Sequence, residues 1–210
     1  MAKKSSAVKP IPSAETPVPA TWYSRFTDFD ISLFKSGKHY KLYEKLGSHV
    51  VSHEGITGTY FAVWAPNAKN VSVEGNFNGW NRASHPMQVR WDESGIWETF
   101  IPGIGNGEVY KYFIISNSGE TLEKSDPFAL RWEEPPSTAS IVWDTWYEWT
   151  DKPWMDKRHE INALNKPMSV YEMHFGSWSR SIESPDEFLS YRQMAEILIP
   201  YIKETGFTHV

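Results

Sequence analysis

The pattern that most restricts how this chain folds lies between Gly58 and Asn81, GTYFAVWAPNAKNVSVEGNFNGWN. Its first part, Thr59 to Ala65, is a β-branched and aromatic run stopped by the turn pair Pro66-Asn67. Its second part alternates: Val71, Val73 and Phe77, with Gly75 between them, fall on one parity, and Ser72, Glu74, Asn76 and Asn78 on the other. A period of two is what a sheet with one buried and one wet face requires. The two runs therefore read as a β-hairpin, ending in the polar-aromatic cluster Asn76-Phe77-Asn78-Gly79-Trp80-Asn81.

Trp80 is a costly residue to leave among amides just past a turn glycine unless its face is used. Two roles stay open: the indole closes the end of a sandwich core, or it stacks on a sugar. A pyranose offers a face of C–H bonds to an aromatic plate and a rim of hydroxyls to amides that both donate and accept, such as Asn78 and Asn81. The 11 Trp, 10 Tyr and 11 Phe residues suit either a β-rich core or a carbohydrate surface. The absence of Cys removes disulfides, thiolate metal sites and a Cys nucleophile. The seven His are scattered without metal-ligand spacing, and no cofactor is expected. A net charge of −5, with no basic run beyond Lys3-Lys4, argues against nucleic acid or an anionic membrane as a partner. No apolar stretch approaches the ~20 residues of a membrane span. The amino terminus lacks a signal-peptide core, so a cytoplasmic protein is the economical reading.

The rest of the chain divides by composition. Residues 1–21, with Pro10, Pro12, Pro17 and Pro19, read as a disordered tail. Residues 22–52 carry apolar side chains at mixed helical spacings, broken by Gly37 and Gly47, and read as a short helical lead-in packed on a sandwich. Residues 53–153 form that sandwich. Further strands are expected at Met87–Arg90, Gly95–Ile101, Glu108–Ile115 and Ala139–Trp143, an antiparallel arrangement of immunoglobulin-like type. Trp143, Trp146, Trp149 and Trp154 lead into a linker at 154–167, where such aromatic density implies docking and not a free tether. Residues 168–210 change character. A strand-like Met168–His174 precedes a helix opened by the capping box Ser190…Gln193. Met194, Ile197, Leu198, Tyr201 and Ile202 form its apolar face. Pro200 should bend this helix, Gly206 should end it, and a second strand starts at Phe207. Strand, helix, strand is the opening unit of a parallel α/β fold. The expected fold class is thus mainly β, a sandwich followed by the first βα unit of a truncated (β/α)8 barrel, which needs roughly 250 residues when complete.

GTYFAVWAPNA followed by V-x-V-x-G-x-F-N-x-W resembles the amino-terminal glucan-binding domain of glycogen branching enzymes, in carbohydrate-binding module family 48. MSVYEMHFGSWSR, residues 168–180, resembles the first barrel strand of α-amylase-superfamily enzymes, and YRQMAEILIPYIKETGFTHV the helix and strand that follow in branching enzymes. The resemblance implies an amino-terminal piece of a retaining glycosyltransferase that cleaves an α-1,4 bond and passes the chain to a 6-hydroxyl. Its Asp nucleophile and Glu acid/base are expected beyond Val210, so no catalytic residue is assigned in this chain and the 210 residues alone are expected to be inactive. Glu172, Glu187 and His174 match no catalytic motif and read as structural. The implied partners are α-glucans such as glycogen and maltooligosaccharides, and the protein's own catalytic barrel. Carried over onto this sequence, Trp80 stacks on glucose and Lys111, in Tyr110-Lys111-Tyr112, bonds its hydroxyls. The family's second stacking Trp, before the Asp126-Pro127 dipeptide, is absent, and Thr138-Ala139-Ser140 stands where an Asn is expected. The alternatives are a debranching or trehalose-releasing hydrolase of the same superfamily, or a non-catalytic glycogen-targeting module.

Overall fold

The computed structural model describes residues 20–181 and 186–210. The tail expected over 1–21 lies outside them except at its end, where Thr21 exchanges two backbone hydrogen bonds of 2.9 Å with Phe100. The chain divides into two units, one ending at Trp146 and the other beginning at Tyr147.

The first unit carries helix α1 (Asp28–Lys35) and strands β1 (Gly47–His53), β2 (Ile56–Trp64), β3 (Ala68–Gly75), β4 (Gln88–Val89), β5 (Ile96–Pro102), β6 (Val109–Ser116), β7 (Thr121–Lys124), β8 (Arg131–Trp132) and β9 (Ser140–Ile141). They make two antiparallel sheets, ordered β1-β2-β5-β4 and β3-β6-β9-β8, with β7 on the same edge of β6 as β9.

The expected hairpin does not form. β2 and β3 lie in different sheets, because β2 is paired on both edges, from Gly47↔Ala62 to His53↔Ile56 on β1 and from Gly58↔Pro102 to Trp64↔Ile96 on β5. β3 pairs instead with β6, so Pro66-Asn67 carries the chain from one sheet to the other. The alternating stripes nonetheless meet. Phe61 and Val63 from β2, Val71 and Val73 from β3, Trp97 and Ile101 from β5, and Tyr110 and Tyr112 from β6 share one buried cluster. Each such side chain contributes about 1.5–3 kcal/mol by leaving water.

A second correction concerns Gly47–His53, placed by sequence mostly in the helical lead-in. It is a strand paired along its whole length with β2. The lead-in proper supplies α1, opened by a capping box in which Thr27 and Asp30 bond one another's backbone N–H groups at 3.2 and 2.8 Å. Phe26, Ile31 and Leu46 then cover Tyr60, Ala62, Ile96 and Phe100, the outer face of the first sheet. The fully buried Glu98 is satisfied there by the Tyr60 hydroxyl at 2.7 Å, the Ser24 hydroxyl at 2.7 Å and Arg90 Nη1 at 3.0 Å. The central strands β2 and β5 are therefore buried on both faces, which period-two patterning alone does not anticipate.

The second unit holds α2 (Lys152–Met155), α3 (Arg158–Ile161), α4 (Phe175–Trp178) and α5 (Tyr191–Thr205). Ser190 and Gln193 close the capping box, and Gly206 ends α5 in the left-handed conformation at φ 80°. Met194 and Ile202 are buried, but Ile197 and Tyr201, expected on the same face, are exposed at 43% and 39%. The strand expected over Met168–His174 is reduced to a parallel bridge between Val170 and His209, with backbone bonds from Tyr171 N–H to His209 at 2.9 Å and from His209 N–H to Ser169 at 2.9 Å. No helix among the described residues is long and apolar enough to cross a membrane.

Candidate functional site

At Gly75, the end of β3, a Cβ would stand 2.2 Å from the Val109 carbonyl oxygen and 2.6 Å from the Phe77 ring. Only glycine permits that approach. It lets the 3-10 turn Asn76–Asn78 fold back against β3, after which Gly79 and Trp80 both adopt left-handed backbone at φ 62° and 59°. For a residue as bulky as Trp this conformation costs on the order of 1–3 kcal/mol. Two bonds hold it: Trp80 N–H to Gly75 O at 2.9 Å and the indole Nε1–H to Asn76 Oδ1 at 2.9 Å. The ring is left 40% exposed and stands outside both apolar clusters.

Asn78 turns inward. Its Oδ1 accepts from Gly75 N–H at 3.0 Å, and its Nδ2 donates to Val73 O at 3.0 Å and to His85 Nδ1 at 2.9 Å. Both of its N–H bonds are engaged, so it fixes the turn. Asn81 is exposed, with Oδ1 accepting from Ala83 N–H at 3.0 Å.

Lys111 lies on β6 directly opposite Glu74 of β3, and its Nζ donates to Thr138 Oγ1 at 2.9 Å. Thr138 is thereby brought to Lys111 from 27 residues away, a pairing no local pattern announces. Ser72 and Glu74, read as a wet face, are buried at 6% and 1%. The segment after Trp80 covers them: the Ser72 hydroxyl donates to Arg82 O at 2.7 Å, Val73 N–H donates to His85 O at 2.9 Å, and Arg82 Nε lies 3.5 Å from Glu74 Oε2. Arg82 also pairs with Glu123 and stacks over the Phe113 ring at 4.6 Å. Burial pushes the Glu74 carboxyl above its ordinary pKa, Glu123 adds to that, and Arg82 and Lys111 partly offset it.

Beneath this face, Asp126 of the Asp-Pro dipeptide anchors β6 from inside. It is 1% exposed and accepts from the Tyr110 hydroxyl at 2.7 Å, the Tyr112 hydroxyl at 2.9 Å and Phe128 N–H at 2.8 Å. In the second unit, Glu172 and Glu187 are exposed, and His174 Nδ1 is bonded to the Ser177 hydroxyl at 2.9 Å. Among the described residues no cluster of His, Asp and Glu could hold a metal ion.

Residues 45–129 match carbohydrate-binding module 48, the isoamylase N-terminal domain. A protein described as 1,4-alpha-glucan branching enzyme GlgB from Aquifex aeolicus is 50% identical over 188 residues, which cover 90% of this chain and 30% of that protein. The protein of the same description from Thermosynechococcus vestitus is 48% identical over 208 residues, covering 89% of this chain and 27% of its own. The chain thus spans less than a third of the length of these relatives. A pullulanase structure from Bacillus acidopullulyticus aligns over 48% of this chain and 12% of its own at a TM-score of 0.38 and 27% identity, too slight a likeness to decide anything. Residues 45–129 therefore belong to the carbohydrate-binding module 48 family, in a chain whose similarity to 1,4-alpha-glucan branching enzymes runs through nine-tenths of its length.

Proposed function

We propose that the sandwich binds α-glucan on the Trp80–Lys111 face, and that the protein to which this chain belongs makes α-1,6 branches in glycogen. The observation that carries the reading is an exposed indole held in strained backbone by its neighbours, within a module 48 sandwich. An indole so fixed offers a plate to a pyranose face with little ordering left to do on binding. Lys111, with Thr138 beside it, supplies donors to sugar hydroxyls, and Asn81 a further amide. Asn78 serves the same site by holding the turn. With no aromatic residue between Gly119 and Asp126, one plate acts alone, and affinity falls in the range of ~0.1–10 mM, or about 3–5 kcal/mol.

Under this proposal residues 168–210 are the first strand, helix and second strand of a (β/α)8 barrel. The parallel bridge Val170↔His209 on either side of α5 supports it. Branch formation would proceed with retention, through two carboxyl groups about 5 Å apart across the scissile bond. The exposed Glu172 and Glu187 are assigned structural roles, so the 210 residues alone do not cleave or transfer glucan. A cytoplasmic location and the catalytic barrel as an intramolecular partner belong to the same proposal. Electrophoresis through a gel containing glycogen tests the binding: the chain should be retarded, and Trp80→Ala retarded less. Equal mobility with and without glycogen would refute it.

A further inference from the structure

A second indole is presented much as Trp80 is, on a different part of the sandwich. Trp91 follows β4, in the turn to β5, and is 75% exposed. The residues on either side of it are pinned. Arg90 is 6% exposed, donates its N–H to Ile96 O at 2.9 Å and pairs through Nε with Asp92 Oδ2 at 2.8 Å. Asp92 Oδ1 in turn accepts from Ser94 N–H at 3.0 Å. Glu93 and Gly95 take left-handed backbone at φ 61° and 74°, which fixes the rest of the turn. The indole therefore stands on a rigid loop in which Arg90, Asp92 and Ser94 are tied down by hydrogen bonds.

The turn and α1 together line a shallow, open cleft at the surface. Asp28, Ser32 and Lys35 line it from one face of α1, at the i, i+4, i+7 spacing that stacks side chains along a helix. The buried Ile31 and the exposed Trp91 also line it. The Lys35 ammonium donates to the Asp92 carbonyl and ties helix to turn. The lining thus combines one aromatic plate, a carboxylate acceptor, a hydroxyl and an ammonium donor. Its charges largely compensate in sign, since Asp92 is committed to Arg90 and Asp28 and Lys35 carry opposite charges at the two ends of the lining helix face. Such a mixture suits an uncharged polyhydroxy ligand with an apolar face and disfavours a phosphate or a metal ion.

We propose that this cleft is a second glucan subsite, in which a glucose unit stacks on Trp91 and donates a hydroxyl to Asp28. The inference rests on the reading that the protein binds α-glucan. Two weak plates on one rigid module raise retention on a long polymer well above what either gives with a short one.

Indole N–H resonances of the 210-residue chain, assigned with Trp80→Ala and Trp91→Ala, would be followed during titration with maltoheptaose. The Trp91 resonance should move in wild type and in Trp80→Ala. Trp91→Ala should leave the Trp80 titration midpoint within twofold while reducing glycogen-gel retardation by threefold or more. Asp28→Ala, with Trp91 intact, should raise the Trp91 midpoint at least threefold. Movement of Trp80 alone would overturn this inference and leave the proposed function standing. Movement of Trp91 alone would support the cleft and remove the Trp80 face from the proposal. Movement of neither would overturn both.

Discussion

Replacing Asp126 by alanine probes what holds the central strand of the second sheet under the Lys111 face. The carboxylate is 1% exposed and serves three donors, the hydroxyls of Tyr110 and Tyr112 and the N–H of Phe128. A hydrogen bond to a charged group is worth about 1.5–3 kcal/mol, and orphaning a buried donor costs about 1–3 kcal/mol. The simple sum overstates the loss for two reasons. Tyr112 retains the Ala62 carbonyl at 3.5 Å as a fallback acceptor. The carboxylate itself is desolvated, which holds its pKa above the ordinary value against the three donors that lower it. A net loss of about 3–4 kcal/mol remains, which for a chain of this size lowers the thermal midpoint by about 6–16 °C. Asp126→Asn keeps one acceptor oxygen and removes the charge, and it should lose less than half as much. Because the folded pKa is raised, the contribution of this carboxyl is greatest below its unfolded value of ~3.9 and declines as pH rises through the folded pKa. Asp126→Asn should therefore remove the decline that wild type shows between those two pKa values. Urea unfolding followed by near-ultraviolet circular dichroism measures each variant. If Asp126→Ala stayed within about 1 kcal/mol of wild type, the claim that this carboxylate organises β6 would fail.

The Asp30 carboxyl is partly desolvated, yet Thr27 N–H, Lys45, the Thr27 hydroxyl and His39 together hold it well below the usual carboxylate range. A depressed folded pKa contributes stability that is present above ~3.9 and lost as pH falls below it. Amide protection in Asp28–Lys35 should drop relative to β2 as pH falls from about 4 toward 2, and Asp30→Asn should abolish that difference; parallel loss in helix and strand would contradict it. Gly75→Ala places a methyl 2.2 Å from the Val109 oxygen, so it should displace the turn bearing Trp80 and weaken glucan retention more than it lowers the thermal midpoint. A melt-only effect would argue that the turn's position is irrelevant to binding.

The parts of this fold legible in the sequence were those specified by neighbours along the chain. Alternation marked β3, the Ser190–Gln193 pair marked the start of α5, and Gly79-Trp80 marked an exposed turn. The parts that were not legible depend on what arrives from elsewhere. β2 and β3 looked like a hairpin, and only the prior claim of β1 and β5 on both edges of β2 sends them to separate sheets. Gly47–His53, GSHVVSH, lacks a large apolar stripe, and only its partner β2 makes it a strand. Glu74 read as wet because the residues that cover it, Arg82 to Pro86, are a loop with no pattern of their own. The assignment of Asn78 to sugar contact rested on residue type, and the structure spends both its N–H bonds on Val73 and His85. Ile197 and Tyr201 fit the helical repeat but lie just outside the narrower stripe that Met194 and Ile202 bury.

The central claim, that the Trp80–Lys111 face holds α-glucan, is tested most directly by titration calorimetry with maltoheptaose, using Trp91→Ala as the background so that this face alone is read. That protein should bind with a Kd of ~0.1–10 mM. Adding Trp80→Ala should abolish the heat of binding while moving the thermal midpoint by no more than about 3 °C, roughly 1 kcal/mol. Unchanged affinity together with a midpoint collapsed by the about 3–5 kcal/mol of a lost core aromatic would contradict the account and leave Trp80 a brace of the sandwich.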